Sequence, residues 1–345
     1  MAARGADTCS GVAAMISIIM PVRDAGQYLA SAVASILSQT LTDWELLLVD
    51  DHSSDGAIAA LPQGDRRLKL LRNPERGLVS ALNYGFAQAQ GQYLARMDGD
   101  DLAEPTRLEM QRAFMQQSPQ VDIVGAQVRI FGELAGNGAR RYQSWLNQLT
   151  KPDAIARELF IESPLPHPSV MFRRQAWLRL GHYVDGAGPE DYDLWLRAAQ
   201  LGLRMAKPEG ILMHWRDHDG RLTRNDARYS SKQFWRTKAS HLLRWRSADR
   251  PLMIWGAGPS GAALFDALSA EGCAPERVQG FLDLHPRRIG GRKRGLPVFA
   301  LDGALSAAPD TLVLVAVGTA GVRDEIRQWF DQHQLHEGVD YLFVA

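Results

Sequence analysis

The sequence predicts an α/β protein: a larger Rossmann-like domain on a mainly parallel mixed sheet, then a second, smaller Rossmann-like α/β domain. Three observations lead there. Short apolar runs alternate with segments of helical spacing, carboxylates stand at the ends of those runs, and a strand, Gly-rich turn and helix start again near residue 250. Such alternation builds a parallel sheet whose polar chemistry gathers at the carboxyl ends of its strands. A chain of 345 residues is long enough for two cores.

Residues 1–13 are small and polar and read as a flexible tail. "MISIIMPV" is a buried strand ending at Pro21, and "YLASAVASILSQT" follows as a helix through Leu29, Val33, Ile36 and Leu37. "WELLLVDD" is the second strand, and "HSSDGAIAAL" opens a helix with Ser and Asp at its cap. "LKLLRN" is the third strand, "GLVSALNYGFAQAQ" a helix and "QYLARMD" the fourth strand. Asp24, Asp50, Asp51, Asp98, Asp100 and Asp101 all fall at strand ends and should meet in one crevice. Asp50 and Asp55 also suit plain helix capping.

Charged residues are 23% of the chain, and Lys plus Arg equal Asp plus Glu at 39 each, so no overall field favours nucleic acid. The two cysteines, Cys9 and Cys273, are too few and too far apart for a disulfide framework or a cysteine zinc site, which fits a reducing cytoplasm. The apolar run "VAAMISIIMPV" is short and leads straight into a strand, unlike a signal peptide. No stretch reaches the ~20 apolar residues of a spanning helix. A cytoplasmic protein is expected, with contact at the inner face of the membrane left open.

"ARMDGDDLAEP" (95–105) packs three carboxylates into four positions, where like charges repel and resist desolvation. Hard divalent cations take oxygen ligands, and two Asp one residue apart can hold such an ion beside a phosphate. With that motif the chain resembles the family 2 glycosyltransferases of GT-A fold. The resemblance runs in order through "ISIIMPVRDAGQYLASAVASILSQTLTDWELLLVDDHSSDG", "GLVSALNYGFAQAQGQYLARMDGDD", "HPSVMFRR" (167–174), "GPEDYDLWLRAAQLG" (188–202) and "WRDHDGRLTR" (215–224). It covers roughly residues 14–225.

The resemblance implies a nucleotide-sugar donor, with a UDP-sugar expected, a saccharide or lipid-linked acceptor, and Mg²⁺ or Mn²⁺ as cofactor. Pro21, Val22 and Asp24 match the first-strand loop that touches base and ribose, and Asp51 matches a carboxylate that accepts from a uracil-type ring nitrogen. Asp98 and Asp100 match the DxD pair that meets ribose and metal. The family usually carries an aromatic and Asn where this chain has Arg23 and Asp24, so the base stays open.

A departing nucleoside diphosphate is anionic and is stabilised by a metal without a proton donor. What remains is to deprotonate the acceptor hydroxyl on the opposite face of the sugar, a task for a carboxylate. Asp191 in "GPEDYDLWLR" matches the family's base at a helix start, implying single displacement with inversion. The helix shows in Leu194, Ala198 and Leu201, and Glu190 and Asp193 also read as first-turn dipole partners. Glu190 is counted with the substrate-binding residues. His218 matches a segment that ligates the metal or meets the diphosphate with Arg216, and equally fits a surface His beside Asp217 and Asp219. His167 orders the acceptor-side loop in this reading.

From Arg221 to Arg250 the chain holds nine Lys or Arg against Asp226 and Asp249, and residues 226–249 read as a basic helical linker. Its Phe234, Trp235 and Trp245 either pack between domains or lie on an anionic membrane. Residues 250–345 carry "GAGPSG", with Gly256, Gly258 and Gly261 spaced to bring a phosphate to a helix N-terminus and Asp283 placed to hold a ribose. "GFLDLHPRRIGGRKRGLPVF" resembles the small Rossmann-like domain that binds a nucleotide sugar in sialic-acid and bacillosamine-type sugar acetyltransferases; the hexapeptide repeats of acetyl transfer are absent. The leading expectation is an inverting, metal-dependent glycosyltransferase. A nucleotide-sugar sensor and an NAD(P)-dependent oxidoreductase remain the rivals.

Overall fold

A computed structural model describes residues 15–62, 64–186, 188–247, 249–305, 310–319 and 321–345. The expected tail over residues 1–13 lies outside them. Seven strands form the first sheet, in the spatial order Leu68–Arg72, Trp44–Asp50, Ile16–Val22, Tyr93–Arg96, Met171–Arg173, Ile123–Val124, Met205–Ala206. The four strands expected from the first hundred residues pair in parallel. Met171–Arg173 enters antiparallel to both its neighbours, which makes the sheet mixed.

The inner strands Ile16–Val22, Trp44–Asp50 and Tyr93–Arg96 are largely apolar because both faces of the sheet are covered there, whereas the edge strand Leu68–Arg72 leaves Leu70 exposed. Side chains alternate along each strand, so Ile18, Met20 and Leu48 share one core with Leu29, Val33 and Ile36 of the helix Leu29–Leu37. Ile19, Leu47 and Val49 face the other way and meet Val79, Leu82 and Phe86 of the helix Leu78–Gln88. That second helix sits very close. A Cβ on its Gly85 would fall 2.7 Å from Ile19 Cγ2 and 2.9 Å from Val49 Cγ2.

The helix expected from "HSSDGAIAAL" is a single 3₁₀ turn, Ile58–Ala60. Asp55 is spent elsewhere: its carboxylate accepts the amides of Gly26 and Ala57 at 2.7 and 3.0 Å, tying this loop to the one after the first strand. Gly56 takes a positive φ of 74°, and Leu61 before Pro62 is extended, as the proline ring requires.

A small sheet, Leu102–Ala103, Ile211–Arg216 and Gln127–Phe131, closes the far side of the acidic loop. A third sheet follows in the order Arg292–Lys293, Leu296–Phe299, Val278–Leu282, Leu252–Trp255, Leu312–Val315, Tyr341–Phe343, parallel except for its first pair. Between the large sheets runs the helix Ser231–His241, continued by a π turn at Leu242–Arg246. Its aromatics turn inward. Phe234 lies 5.5 Å from Tyr192 and Trp245 5.8 Å from Phe160, ring to ring. The buried Lys238 donates to the carbonyls of Ile161 and Val344, bonding the two halves of the chain together.

Candidate active site

The carboxyl ends of the first, second and fourth strands open into a cleft of about 710 Å³. Pro21, Val22, Asp24, Asp51, Asp98, Asp100, Glu190, Asp191 and His218 all line it. Residues chosen from four separate motifs are therefore neighbours in space, and His167 of a fifth lines the same cleft.

On the donor side, each carboxylate has partners that set its place. Asp24 has a positive φ of 49°, and its Oδ1 accepts the Ser54 amide at 2.6 Å, which holds its carboxyl below the usual range. Asp51 is buried, and its Oδ1 accepts from Asn73 Nδ2 and the Gly77 amide, both at 2.8 Å. Its Oδ2 lies 4.0 Å from Arg23 Nη1.

The acidic loop contains its own cation. Buried Arg96 grips Asp98 with both terminal nitrogens, at 2.8 and 2.6 Å. His218 Nε2 lies 2.8 Å from Asp100 Oδ2. Arg216 donates its amide to Asp101 Oδ1 and its Nε to the Asp100 carbonyl, both at 2.7 Å, while its guanidinium lies 4.4 Å from the rings of Tyr28 and Phe131. Arg216 thus shapes the loop. Asp101 is 1% exposed, and its Oδ2 has no hydrogen-bond partner. Burial, then the charges of Asp100 and Asp98, push its carboxyl well above the usual range. Burial also raises Asp98 despite Arg96.

Oxygens of Asp98, Asp100 and Asp101 lie within 4.8 Å of one another. Three hard donors, one of them an orphaned buried oxygen, fit a divalent cation of the Mg²⁺ or Mn²⁺ kind. Asp101 joins the pair chosen from sequence. His218 reaches the cluster through Asp100.

Across the cleft begins the helix Glu190–Gln200. Asp191 Oδ1 accepts the Tyr192 amide at 2.7 Å, and Oδ2 accepts the Ser163 hydroxyl at 3.3 Å. Burial, then the charge of Glu190, push its carboxyl up to about 7. Glu190 is 2% exposed. Burial alone would raise it, but His167, 3.5 Å from Oε1, and the Tyr229 hydroxyl outweigh that and hold it at about 2. His167 is kept neutral by burial, its own value lowered to about 4, and its Nε2 meets the Tyr183 hydroxyl at 2.8 Å. Two adjacent carboxyls are thus driven apart, one firmly ionised and one poised near neutrality.

Arg96, Asn73, Ser163 and Tyr229 were not singled out from sequence. Arg96 had a signal, since a charge inside a buried strand needs a partner. The others carry none, being ordinary polar residues distant in sequence from what they hold.

Gly256 and Gly258 form the turn after the strand Leu252–Trp255, Gly261 lies in the helix Pro259–Ala270, and Asp283 follows the strand Val278–Leu282. Gly256 takes a φ of 116°, and a Cβ there would meet the Ala316 carbonyl at 2.9 Å. Asp283 Oδ2 accepts the Ala257 amide at 3.0 Å and Arg288 Nη1 at 2.9 Å, and Oδ1 accepts the His285 amide at 2.8 Å. Asp283 therefore braces the turn.

Residues 17–180 match the family model described as glycosyl transferase family 2. EpsE of Bacillus subtilis (strain 168), which bears a glycosyltransferase name, is 34% identical over 223 residues, covering 62% of this chain and 77% of EpsE. The O-antigen biosynthesis glycosyltransferase WbnJ of Escherichia coli is 32% identical over 213 residues, covering 59% of this chain and 80% of WbnJ. Among solved structures, S. aureus TarS 1-349 in complex with UDP-GlcNAc shares the fold, with a TM-score of 0.54 at 17% identity over 74% of this chain and 71% of that one. Sequence kinship of that extent, on a GT-A-type sheet with its carboxylates gathered in one cleft, places this chain in glycosyl transferase family 2.

Proposed function

We propose that this glycosyltransferase is inverting and metal-dependent, and that it moves a sugar from a UDP-sugar to a saccharide or lipid-linked acceptor during surface polysaccharide synthesis. One observation carries the reading: Asp98 and Asp100, clustered with the buried Asp101, line the same cleft as Asp191. A cation bound by the three aspartates would supply positive charge to the leaving diphosphate. Asp51 and the Pro21–Val22 loop hold base and ribose, and Arg96 keeps Asp98 aimed at the donor. Asp191 accepts the proton of the acceptor hydroxyl at a carboxylate oxygen, with the Tyr192 amide and Ser163 hydroxyl fixing its orientation.

The names of two relatives support the pathway: the O-antigen enzyme WbnJ, and a UDP-Glc glucosyltransferase of Escherichia coli, WfgD, acting on a GlcNAc-diphosphoundecaprenol. We read residues 14–225 as the transferase unit, with Tyr229 of the linker serving it and residues 250–345 as a separate unit. Incubating the protein with UDP-sugars and a diphosphoundecaprenol-linked acceptor, with Mn²⁺ or Mg²⁺ and with chelator, tests the whole. Product with inverted anomeric configuration, lost on chelation, is expected. Chelator-insensitive transfer or retained configuration would sink it.

A further inference from the structure

We infer that residues 284–299 form a docking surface for an anionic lipid bilayer. The segment "LHPRRIGGRKRGLPVF" holds Arg287, Arg288, Arg292, Lys293 and Arg294 and no carboxylate, in a chain whose formal net charge is +0. The fold makes it a compact projection. Arg288 turns back onto the His285 carbonyl at 2.9 Å, and Gly290 and Gly291 pair with Val298 at 2.9 and 3.0 Å. Arg292–Lys293 then run antiparallel to Leu296–Phe299 as the edge of the third sheet. Arg294 and Gly295, with φ of 51° and 81°, form the left-handed pair that closes a two-residue hairpin.

Arg288 and Arg294 are paired with Asp283 and Asp266. Arg287, Arg292 and Lys293 have no carboxylate partner among the described residues. Between these cations, Leu284 is 63% and Ile289 37% exposed. Lone exposed aliphatics need no explanation, but two within a carboxylate-free basic projection do. Cations attract anionic headgroups, and apolar side chains then enter the acyl boundary. A nucleic-acid surface would present aromatic rings for stacking. This segment offers a single such ring, Phe299, 39% exposed and with its Cε2 edge against Gly280, where binding a strand by stacking takes successive rings.

The basic linker is excluded as the docking element because its aromatics point into the protein. No helix among the described residues is long and apolar enough to cross a membrane. Docking here would bring a glycosyltransferase to the surface that carries a lipid-linked acceptor. The inference stands apart from the acceptor's identity, since docking is read without catalysis.

The test is flotation of the full chain with vesicles of phosphatidylcholine alone or mixed with phosphatidylglycerol. Binding to the anionic vesicles alone is expected, weakening as salt rises. The combined Arg287→Glu, Arg292→Glu and Lys293→Glu variant should lose about 100-fold or more in partitioning, at roughly a fivefold cost for each cation removed. A Leu284→Ser, Ile289→Ser variant should bind more weakly with an unchanged salt slope. Both should keep the thermal stability and the transfer to a water-soluble acceptor of the parent. Equal binding to phosphatidylcholine, full binding by the charge-reversed variant, or preference for single-stranded RNA over vesicles overturns the inference. Retained docking with no transfer to a lipid-linked acceptor would instead count against the acceptor assignment alone.

Discussion

The Tyr229 hydroxyl lies 2.8 and 2.7 Å from the two carboxylate oxygens of Glu190, donating one proton between them across 39 positions of chain. Arg228 Nη1 stands 3.8 Å from the same carboxylate. Burial and the Glu190 charge hold the Tyr229 hydroxyl protonated far above the ordinary phenol value, so it is a permanent donor. A segment outside the five motifs thus keeps Glu190 ionised beside Asp191.

Tyr229→Phe should therefore act on Asp191 through Glu190. Losing a hydrogen bond to a buried charge costs about 1.5–3 kcal/mol and makes Glu190 easier to protonate. Starting from about 2, Glu190 stays ionised at neutral pH, and without the hydroxyl proton facing it its charge bears more fully on Asp191, which should ionise at higher pH. We expect transfer to fall roughly tenfold, following the lost bond, and the acidic limb of the pH–rate profile to move to higher pH. A slower enzyme with an unmoved limb would show that Tyr229 only packs.

Asp191→Asn keeps the shape and the Tyr192 and Ser163 contacts while removing the base. Transfer should drop by ~10²–10⁴ with donor affinity nearly unchanged. In the parent, the rate should rise with pH through about 7 as Asp191 loses its proton. Stability provides a second readout. The folded value lies above the ordinary 3.8, so the folded state binds this proton more tightly and its contribution fades as pH climbs from about 4 to about 7. Above that window the parent carries a buried charge that the amide lacks. The Asp191→Asn variant should be the more stable protein at pH 8 by roughly 1–3 kcal/mol and not at pH 4. Equal melting curves at both pH values would contradict the burial argument.

Asp100→Ala should leave the fold intact and remove the thermal shift that Mn²⁺ confers on the parent. Asp101→Asn should split two effects. It replaces a buried carboxyl whose Oδ2 has no partner by a neutral amide, so the metal-free protein should gain about 1 kcal/mol or more. Cation-dependent stabilisation and donor binding should fall with it. A full Mn²⁺ shift in either variant, measured by calorimetry, would move the cation elsewhere.

Gly85→Ala tests the close contact of the helix Leu78–Gln88 with the sheet. A methyl there must displace Ile19 or Val49, both wholly buried. Overpacking should cost about 1–3 kcal/mol although alanine is the better helix former. A stabilised variant in urea unfolding would mean that the sheet yields freely.

Much of this molecule was already determined by the sequence alone. Hydrophobic period and strand-end polarity are local properties, so Ile16–Val22, Trp44–Asp50, Leu68–Arg72 and Tyr93–Arg96 were legible as parallel strands, and Asp24, Asp51, Asp98 and Asp100 as one crevice, while Asp50 turns to the Ser53 amide and Asp101 is buried behind the cleft. The start of the helix at Glu190 was legible for the same reason. The tertiary structure alone decided the antiparallel entry of Met171–Arg173, the loss of the helix after Asp55, and the partners that give each carboxyl its state. Asp55 bonds Gly26, Asn73 holds Asp51, and Tyr229 holds Glu190, all across gaps of more than twenty residues. Such pairings depend on how loops from different strands come to lie beside one another. A polar side chain gives no local sign of which buried charge it will meet, because the cost of leaving that charge unpaired is set only once the surrounding chain has excluded water.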